Sequence, residues 1–399
     1  MQMTERLYYD DAYLTEFDAA VTECVERDGK CHVRLDRSAF YPTSGGQPYD
    51  TGTLGDARVI DVYVGEDHDV YHVTDRPLAV GATVHGHIDW PRRFDHMQQH
   101  AGDHMIASAI WRRLGGVTIG LHLGEAVSTI DVDMPGGATH LSPEEVRMIE
   151  RDVNERIQRD VPVRCWFPTP DELETLPLRK KPTVKEHVRV VAIGLDEMVA
   201  CGGTHPATAG QLGLLKIVGA APARGKLRVS FLAGMRAYAD YQEKYDVAQQ
   251  TAGMLSTAVE NLPAHVAAMQ EALREAEVAL SRLRREAALA AIAAEPPTVR
   301  PDGVRVVARM LEGDVNLIKD VASRLIKQPQ TAALLGAEVA PGRAAFVFAR
   351  SDDVDIHMGR LLSDTAKPLG GKGGGRPDFA QGGGVTEILV RAREMLVRD

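Results

Sequence analysis

Over the first 90 positions, short runs such as "CHVRLD", "ARVIDVYV" and "DVYHVTD" alternate apolar and polar side chains between clusters of Gly, Asp and Pro. A period of two with frequent turn residues predicts an antiparallel sheet or a small barrel. The pattern changes after "IDWPRR". "FDHMQQHAGDHMIASAIWRRL" reads as a helix, with Pro91 suited to its first turn and Gly115 and Gly116 ending it. Ser142, followed by Pro143 and Glu145, marks the start of a second helix that runs to about Arg159. Strands are expected at "RVVAIG", "GLLKIVG" and "KLRVSFL", giving an α+β domain over residues 91–236 that could close with the barrel over one cleft.

Beyond residue 237 the apolar positions Leu255, Val259, Leu262, Val266, Met269, Leu273, Ala276, Leu280, Leu283 and Ala287 recur at alternating spacings of four and three. That is a coiled-coil seam. Pro263 is tolerable only in a first turn, so two helices should meet near "NLP" in a hairpin. "AAEPPTVRPDG" reads as a linker to a compact domain with strands at "VRVVARM", "TAALLG" and "AAFVFAR" and helices between and after them. The expected fold is therefore α+β throughout: a barrel over 1–90, an α+β domain over 91–236, a helical segment over 237–294 and a small α/β domain over 299–399. No internal repeat is visible.

Composition narrows the function classes. With 399 residues, 44% hydrophobic and 26% charged, the chain can hold several ordinary globular cores. No apolar run approaches the roughly 20 residues of a membrane span, and the acidic start "MQMTERLYYDD" is unlike a secretory signal, so the expected location is the cytoplasm without a membrane partner. Four cysteines (Cys24, Cys31, Cys165 and Cys201) are too sparse for a disulfide framework and leave thiols free for a metal. The formal charge of −10 excludes a globally basic nucleic-acid binder, though local basic patches can still grip phosphates.

The chemistry starts with histidine. His96 and His100 stand four apart on a predicted helix, on one face, where two imidazoles can share an ion. A metalloprotease needs Glu directly after the first histidine, and Met97 stands there. "CGGTH" adds Cys201 and His205, with Gly202 and Gly203 letting the backbone turn between them. Together these four residues make a plausible tetrahedral set for one zinc ion, of which one ligand could yield to water. His104, four beyond His100, could replace His205, orient a ligand or pack, and packing or orienting comes first. In "DRSAFYPTSGGQPYDTG", Gln47 and the Gly45–Gly46 pair could surround a small polar ligand.

"AFYPTSGGQPYDTG", "DHMQQHAGDH" and "CGGTH", in this order and separation, resemble the editing domain of alanyl-tRNA synthetase and its free-standing relatives, the AlaX trans-editing proteins. The helical segment with "NLP" followed by "GGKGGGRPDFAQGGG" is similar to the synthetase's C-terminal domain, so the resemblance covers nearly the whole chain and points to the long form of AlaX. The chain begins at the barrel, which implies a protein that corrects tRNA and does not charge it. The resemblance also implies zinc at His96, His100, Cys201 and His205, one ion per chain, and a role for Gln47 and the preceding glycines near the aminoacyl group. Ser38 stands where relatives usually carry Thr, and Thr43 and Ser44 where some carry Glu and an extra Gly.

The implied activity is zinc-dependent hydrolysis of the ester joining serine, and secondarily glycine, to tRNA(Ala). A pocket built for alanine rejects these neighbours poorly, by about 10² or less, so a second site is needed. Gln47, Ser38 and Thr43 are expected to hold the aminoacyl end and sense the seryl hydroxyl, with Gly45, Gly46, Gly202 and Gly203 around it. For the tRNA, "LRKKPTVKEHVR" offers Arg179, Lys180, Lys181 and Lys185, and the glycine-rich loop offers Lys367, Lys372 and Arg376. Lys372 does not precede Ser or Thr as in a nucleotide-phosphate loop, so no ATP is expected to be used. The helical and C-terminal segments are expected to pair two chains. Two other readings remain open: editing of another mischarged aminoacyl-tRNA, and a tRNA-binding protein whose zinc is purely structural.

Overall fold

The computed structural model describes residues 3–182, 187–195 and 197–398. The chain forms two compact units, Met1–Ala248 and Gln249–Asp399. In the first, six antiparallel strands close into a barrel in the order Glu16–Arg27, Lys30–Leu35, Val70–Thr74, Ala57–Val64, Gly52–Leu54 and Thr83–Ile88. Alternation along Glu16–Arg27 sends Phe17, Ala19 and Val21 inward, where Val33, Leu35, Leu54, Val62 and Ile88 complete the core. Closure leaves this sheet without an edge.

Two polar residues lie inside this barrel. His72 Nδ1 donates to the Val33 carbonyl at 3.2 Å, which leaves Nε2 to accept from Ser38 Oγ at 2.7 Å. Phe40 N in turn donates to Ser38 Oγ at 3.1 Å. Both side chains are fully buried.

Helix α1 (Trp90–Leu114) follows the barrel, with Pro91 in its first turn and Gly115 in the left-handed conformation at its end. Every residue from His96 to Ile110 is buried. The helix lies under the antiparallel strands Val117–Leu123, Ser128–Asp133, Lys226–Ala233 and Leu215–Ala223, with α2 (Pro143–Gln158) also packed on it. Ser142 caps α2 through a reciprocal pair with Glu145. Met105, Ile106, Ile110, Ile149, Val153 and Phe231 share the core, each contributing about 1.5–3 kcal/mol by leaving water. Arg93 ties α1 to the barrel: fully buried, it donates from Nε to both Asp50 oxygens at 3.0 and 2.9 Å and from its remaining nitrogens to the carbonyls of Ala12 and Ala39. A three-stranded sheet joins Val163–Trp166, Val190–Ile193 and Glu197–Ala200, with a short helix, α3 (Pro170–Thr175), following its first strand.

Helix α4 (Met235–Met254) carries the chain into the second unit; α5 (Leu262–Ala294) begins with Pro263 in its first turn, while α4 ends at Met254, before the turn Val259–Asn261. The predicted seam is largely exposed among the described residues. Val266, Met269, Leu273, Leu280 and Leu283 are exposed, and α5 buries only Ala288 and Ile292 among the described residues.

Strands Arg305–Leu311 and Thr331–Ala340 pair in parallel around α6 (Val315–Leu325), followed by Arg343–Arg350, α7 (Met358–Ala366) and α8 (Glu387–Arg398). The glycine-rich stretch, expected as a loop, is instead a strand hairpin, Lys372–Gly375 with Phe379–Gly384, at the sheet edge. Its glycines allow α7 to lie directly on backbone: a Cβ on Gly359 would stand 2.2 Å from the Gly375 carbonyl oxygen.

Burial pushes His72 down from its usual value near 6.5 to about 4. The unfolded chain therefore takes up a proton below pH 6.5 that the folded barrel refuses until about pH 4. Stability should fall across that window by about 3 kcal/mol for this group. Denaturant titrations at pH 7 and pH 4 should show a smaller loss for His72→Gln than for the parent chain; equal losses would contradict the assignment.

Candidate functional site

α1 and the loop after Glu197–Ala200 bring four donors together. Side chains of His100, His104, Cys201 and His205 each place a ligand atom within 4.8 Å of the others. Cys201 Sγ stands 3.4 Å from both His100 Nε2 and His205 Nε2. The sequence expectation is corrected here: His96 is not in the group, and His104 is. Four-residue spacing fits 96/100 and 100/104 equally well, since all three share one helical stripe. Only the position of the "CGGTH" loop along α1 decides, and it lies one turn further on. His96 is buried elsewhere, its imidazole pushed down to about 4 by burial and by Arg92.

Gln47 sets the orientation of His100. Its Oε1 accepts from His100 Nδ1 at 2.8 Å and from Thr204 N at 3.2 Å, and its Nε2 donates to Thr204 Oγ1 at 2.8 Å. The amide is fully buried and occupied by these partners, so it fixes the tautomer that turns His100 Nε2 toward the thiol. Glu197 does related work for His104, with Oε1 3.5 Å from Nδ1, and is itself held by Arg179 at 3.0–3.1 Å. Arg179, expected to face tRNA phosphates, is thus committed to a buried carboxylate. Arg189 donates to the carbonyls of Gly203 at 2.8 Å and Cys201 at 3.2 Å, closing the loop. A Cβ on Gly203 would stand 2.2 Å from His100 Cε1, so glycine is required there.

Burial opposes ionisation of Cys201, but three surrounding imidazoles hold its thiol well below the ordinary value. His104 moves the other way: burial disfavours its charge, yet the adjacent thiolate raises it to about 10. Burial and His100 push His205 down to about 3. Cys201 is thereby biased toward its thiolate and His104 toward its protonated form, while His205 is biased toward the neutral imidazole. His205 Nδ1 is buried with no hydrogen-bond partner among the described residues. Three imidazoles and one thiolate are the donor set of a tetrahedral divalent ion of the zinc type.

Two cavities share the wall formed by Ser44 and Ala200–Gly202. The smaller, about 320 Å³, is lined by His100, His104, Cys201, Asp103, Thr118 and glycines 45, 202 and 203. The larger, about 710 Å³, is lined by Tyr9, Phe167, Arg6, Lys180, Lys181 and Arg189. Other expected residues lie elsewhere. Ser38 is inside the barrel bound to His72, Thr43 is an exposed turn residue whose Oγ1 accepts from Tyr49 N at 3.2 Å, and Gly46 packs against the Leu121 carbonyl. Lys185 lies outside the described residues. In the second unit Lys367, Lys372 and Arg376 are exposed, Arg376 pairing with Asp378 at 3.1 Å. Glu197, Asp103, Thr118, Tyr9 and Phe167 were missed; of these only Asp103, inside "HAGDH" itself, had a sequence signal.

The model for class II (A) tRNA synthetases matches residues 2–92, and that for the DHHA1 domain matches residues 303–397. An alanine–tRNA ligase from Pyrococcus furiosus is 31% identical over 396 residues, 95% of this chain and 42% of the ligase. Those from Halorubrum lacusprofundi and Halobacterium salinarum are 32% and 33% identical, over 96% and 98% of this chain and 42% and 44% of theirs. Nearly the whole chain is thus similar to alanine–tRNA ligases. It spans less than half the length of these relatives. The C-Ala domain of Aquifex aeolicus alanyl-tRNA synthetase aligns over 26% of this chain and 96% of its own at 19% identity, with a TM-score of 0.24, too low to carry an argument about fold.

Removing the Gln47 amide frees His100 to rotate, so Gln47→Ala should weaken metal binding by about 10–100-fold. Competition with a chromogenic chelator measures this; unchanged affinity would return Gln47 to the role of a substrate contact.

Proposed function

We propose that the chain is a metal-dependent hydrolase of mischarged tRNA(Ala), acting chiefly on the seryl ester and secondarily on the glycyl ester. The observation that carries the reading is the pair of cavities meeting at Cys201: a small polar one containing the donor cluster, beside a larger one with aromatic and cationic walls. An aminoacyl group fits the first. Exposed Phe167 offers a ring face to a terminal base, and exposed Lys180 and Lys181 offer charge to phosphates. Similarity over nearly the whole chain to alanine–tRNA ligases supports tRNA(Ala) as the carrier.

His100, His104, Cys201 and His205 would hold one zinc ion, which when bound supplies a Lewis acid beside the ester. The chain's own residues do the rest. Gln47 and Glu197 keep His100 and His104 turned toward the thiolate, Gly203 lets the loop approach, and Lys180 stands at the mouth shared by both cavities. Lys367, Lys372 and Arg376 present exposed charge for the remainder of the tRNA, and the uncovered apolar seam of α5 supports pairing with a second copy. Among the described residues no helix is long and apolar enough to cross a membrane, and the reading places the protein with tRNA in the cytoplasm.

A second reading also has an observation behind it. Structural zinc sites use four protein donors, whereas catalytic sites usually keep one position open, and four donors converge here. A tRNA-binding protein with structural metal would bind Ser-tRNA(Ala) without releasing serine.

Preformed Ser-tRNA(Ala), Gly-tRNA(Ala) and Ala-tRNA(Ala) distinguish the two. Release of serine and sparing of alanine, with loss of activity by about 10²-fold or more in Cys201→Ala, is expected. Tight binding of Ser-tRNA(Ala) with no release would establish the structural reading.

A further inference from the structure

Asp103 is the feature of the small cavity that the metal site does not explain. It sits on α1 directly before His104, is 5% exposed, and lines the cavity beside the donor cluster. Its Oδ1 is buried with no hydrogen-bond partner among the described residues, and it does not belong to the group of converging metal donors. Thr118, on the strand Val117–Leu123, lines the same cavity, and its Oγ1 is likewise buried and unpartnered. A buried carboxylate oxygen without a donor is costly, so its presence points to a donor that arrives from outside the chain. The nearby cations have other partners or lie outside: His104 is turned into the donor cluster with Cys201, Arg179 is committed to Glu197, and Lys180 is exposed.

Taking the cavity as the aminoacyl site, as the proposed function does, we propose that Asp103 binds the α-ammonium of the esterified amino acid, with the Thr118 hydroxyl as an accessory polar contact. The ammonium is the one cationic group of a seryl or glycyl ester, and it carries three N–H donors for a cavity that offers unfilled acceptors. This makes the free amine a condition for binding. An N-blocked aminoacyl end, the form present in peptidyl-tRNA or formylated tRNA, lacks the charge and is refused. The site would then select for an unblocked aminoacyl ester by charge, independently of how it judges the side chain.

The test uses the metal-loaded full chain and two nonhydrolysable ligands, 3′-serylamino-3′-deoxyadenosine and its N-acetylseryl counterpart, with affinities measured by calorimetry. The parent chain should prefer the free amine by about tenfold or more, and Asp103→Asn, with its metal content unchanged, should bring the two affinities close together. Equal affinities in the parent chain would overturn the inference whatever the variant does. So would an Asp103→Asn chain that keeps the full preference, or one that loses its metal, which would assign the carboxylate to the ion. A parallel deacylation assay keeps the two proposals apart. Amine preference without serine release removes the hydrolase reading and leaves the ammonium site standing, while serine release without amine preference removes the ammonium site alone.

Discussion

The side-chain amide of Gln47 joins three stretches of chain: its own turn after the barrel's second strand, His100 on α1, and the backbone and hydroxyl of Thr204 in the "CGGTH" loop. Each contact is buried, and a buried amide left unpaired costs about 1–3 kcal/mol, so the three segments are held in one register by the need to satisfy a single side chain. The Arg93–Asp50 pair does the same about two turns earlier on α1, clamping the helix to the segment that carries Gln47. With these two clamps in place, the loop can meet α1 at only one level, and that level selects the metal donors.

Electrostatics then completes what packing begins. A buried thiol would ordinarily stay protonated, but three imidazoles around Cys201 make the thiolate the stable form, and it in turn keeps a proton on His104. Neutral His205 and the oriented His100 leave nitrogen lone pairs for an ion to use. Exchange of one proton for one divalent cation would turn a strained cluster of titrating groups into a closed coordination set. Glu197, screened from solvent and bound to Arg179, balances the positive charge from behind His104.

Much of this was legible in the sequence because local rules governed it. Pro91 and Gly115 bound α1, Ser142 and Glu145 cap α2, and Pro263 opens α5, each where the residue type demands it. The Cys and His of "CGGTH" were found for the same reason. What could not be read was tertiary: three histidines on one stripe look alike until the loop docks against two of them, so His96 was preferred to His104. Gln47 looked like a ligand contact because its partners lie 53 and 157 residues away. The glycine run looked like a loop, since nothing local reveals that α7 lies flat against it. The seam on α5 was correctly periodic, but periodicity alone does not say what covers it.

The central claim is that the ion is held by His100, His104, Cys201 and His205, with His96 outside the set. Metal content of the purified chain, measured by plasma emission spectrometry for the His96→Ala and His104→Ala variants beside the parent, tests it most directly. The account predicts one zinc per chain in the parent and in His96→Ala, and loss of most of it in His104→Ala. Full zinc in His104→Ala together with loss in His96→Ala would contradict it.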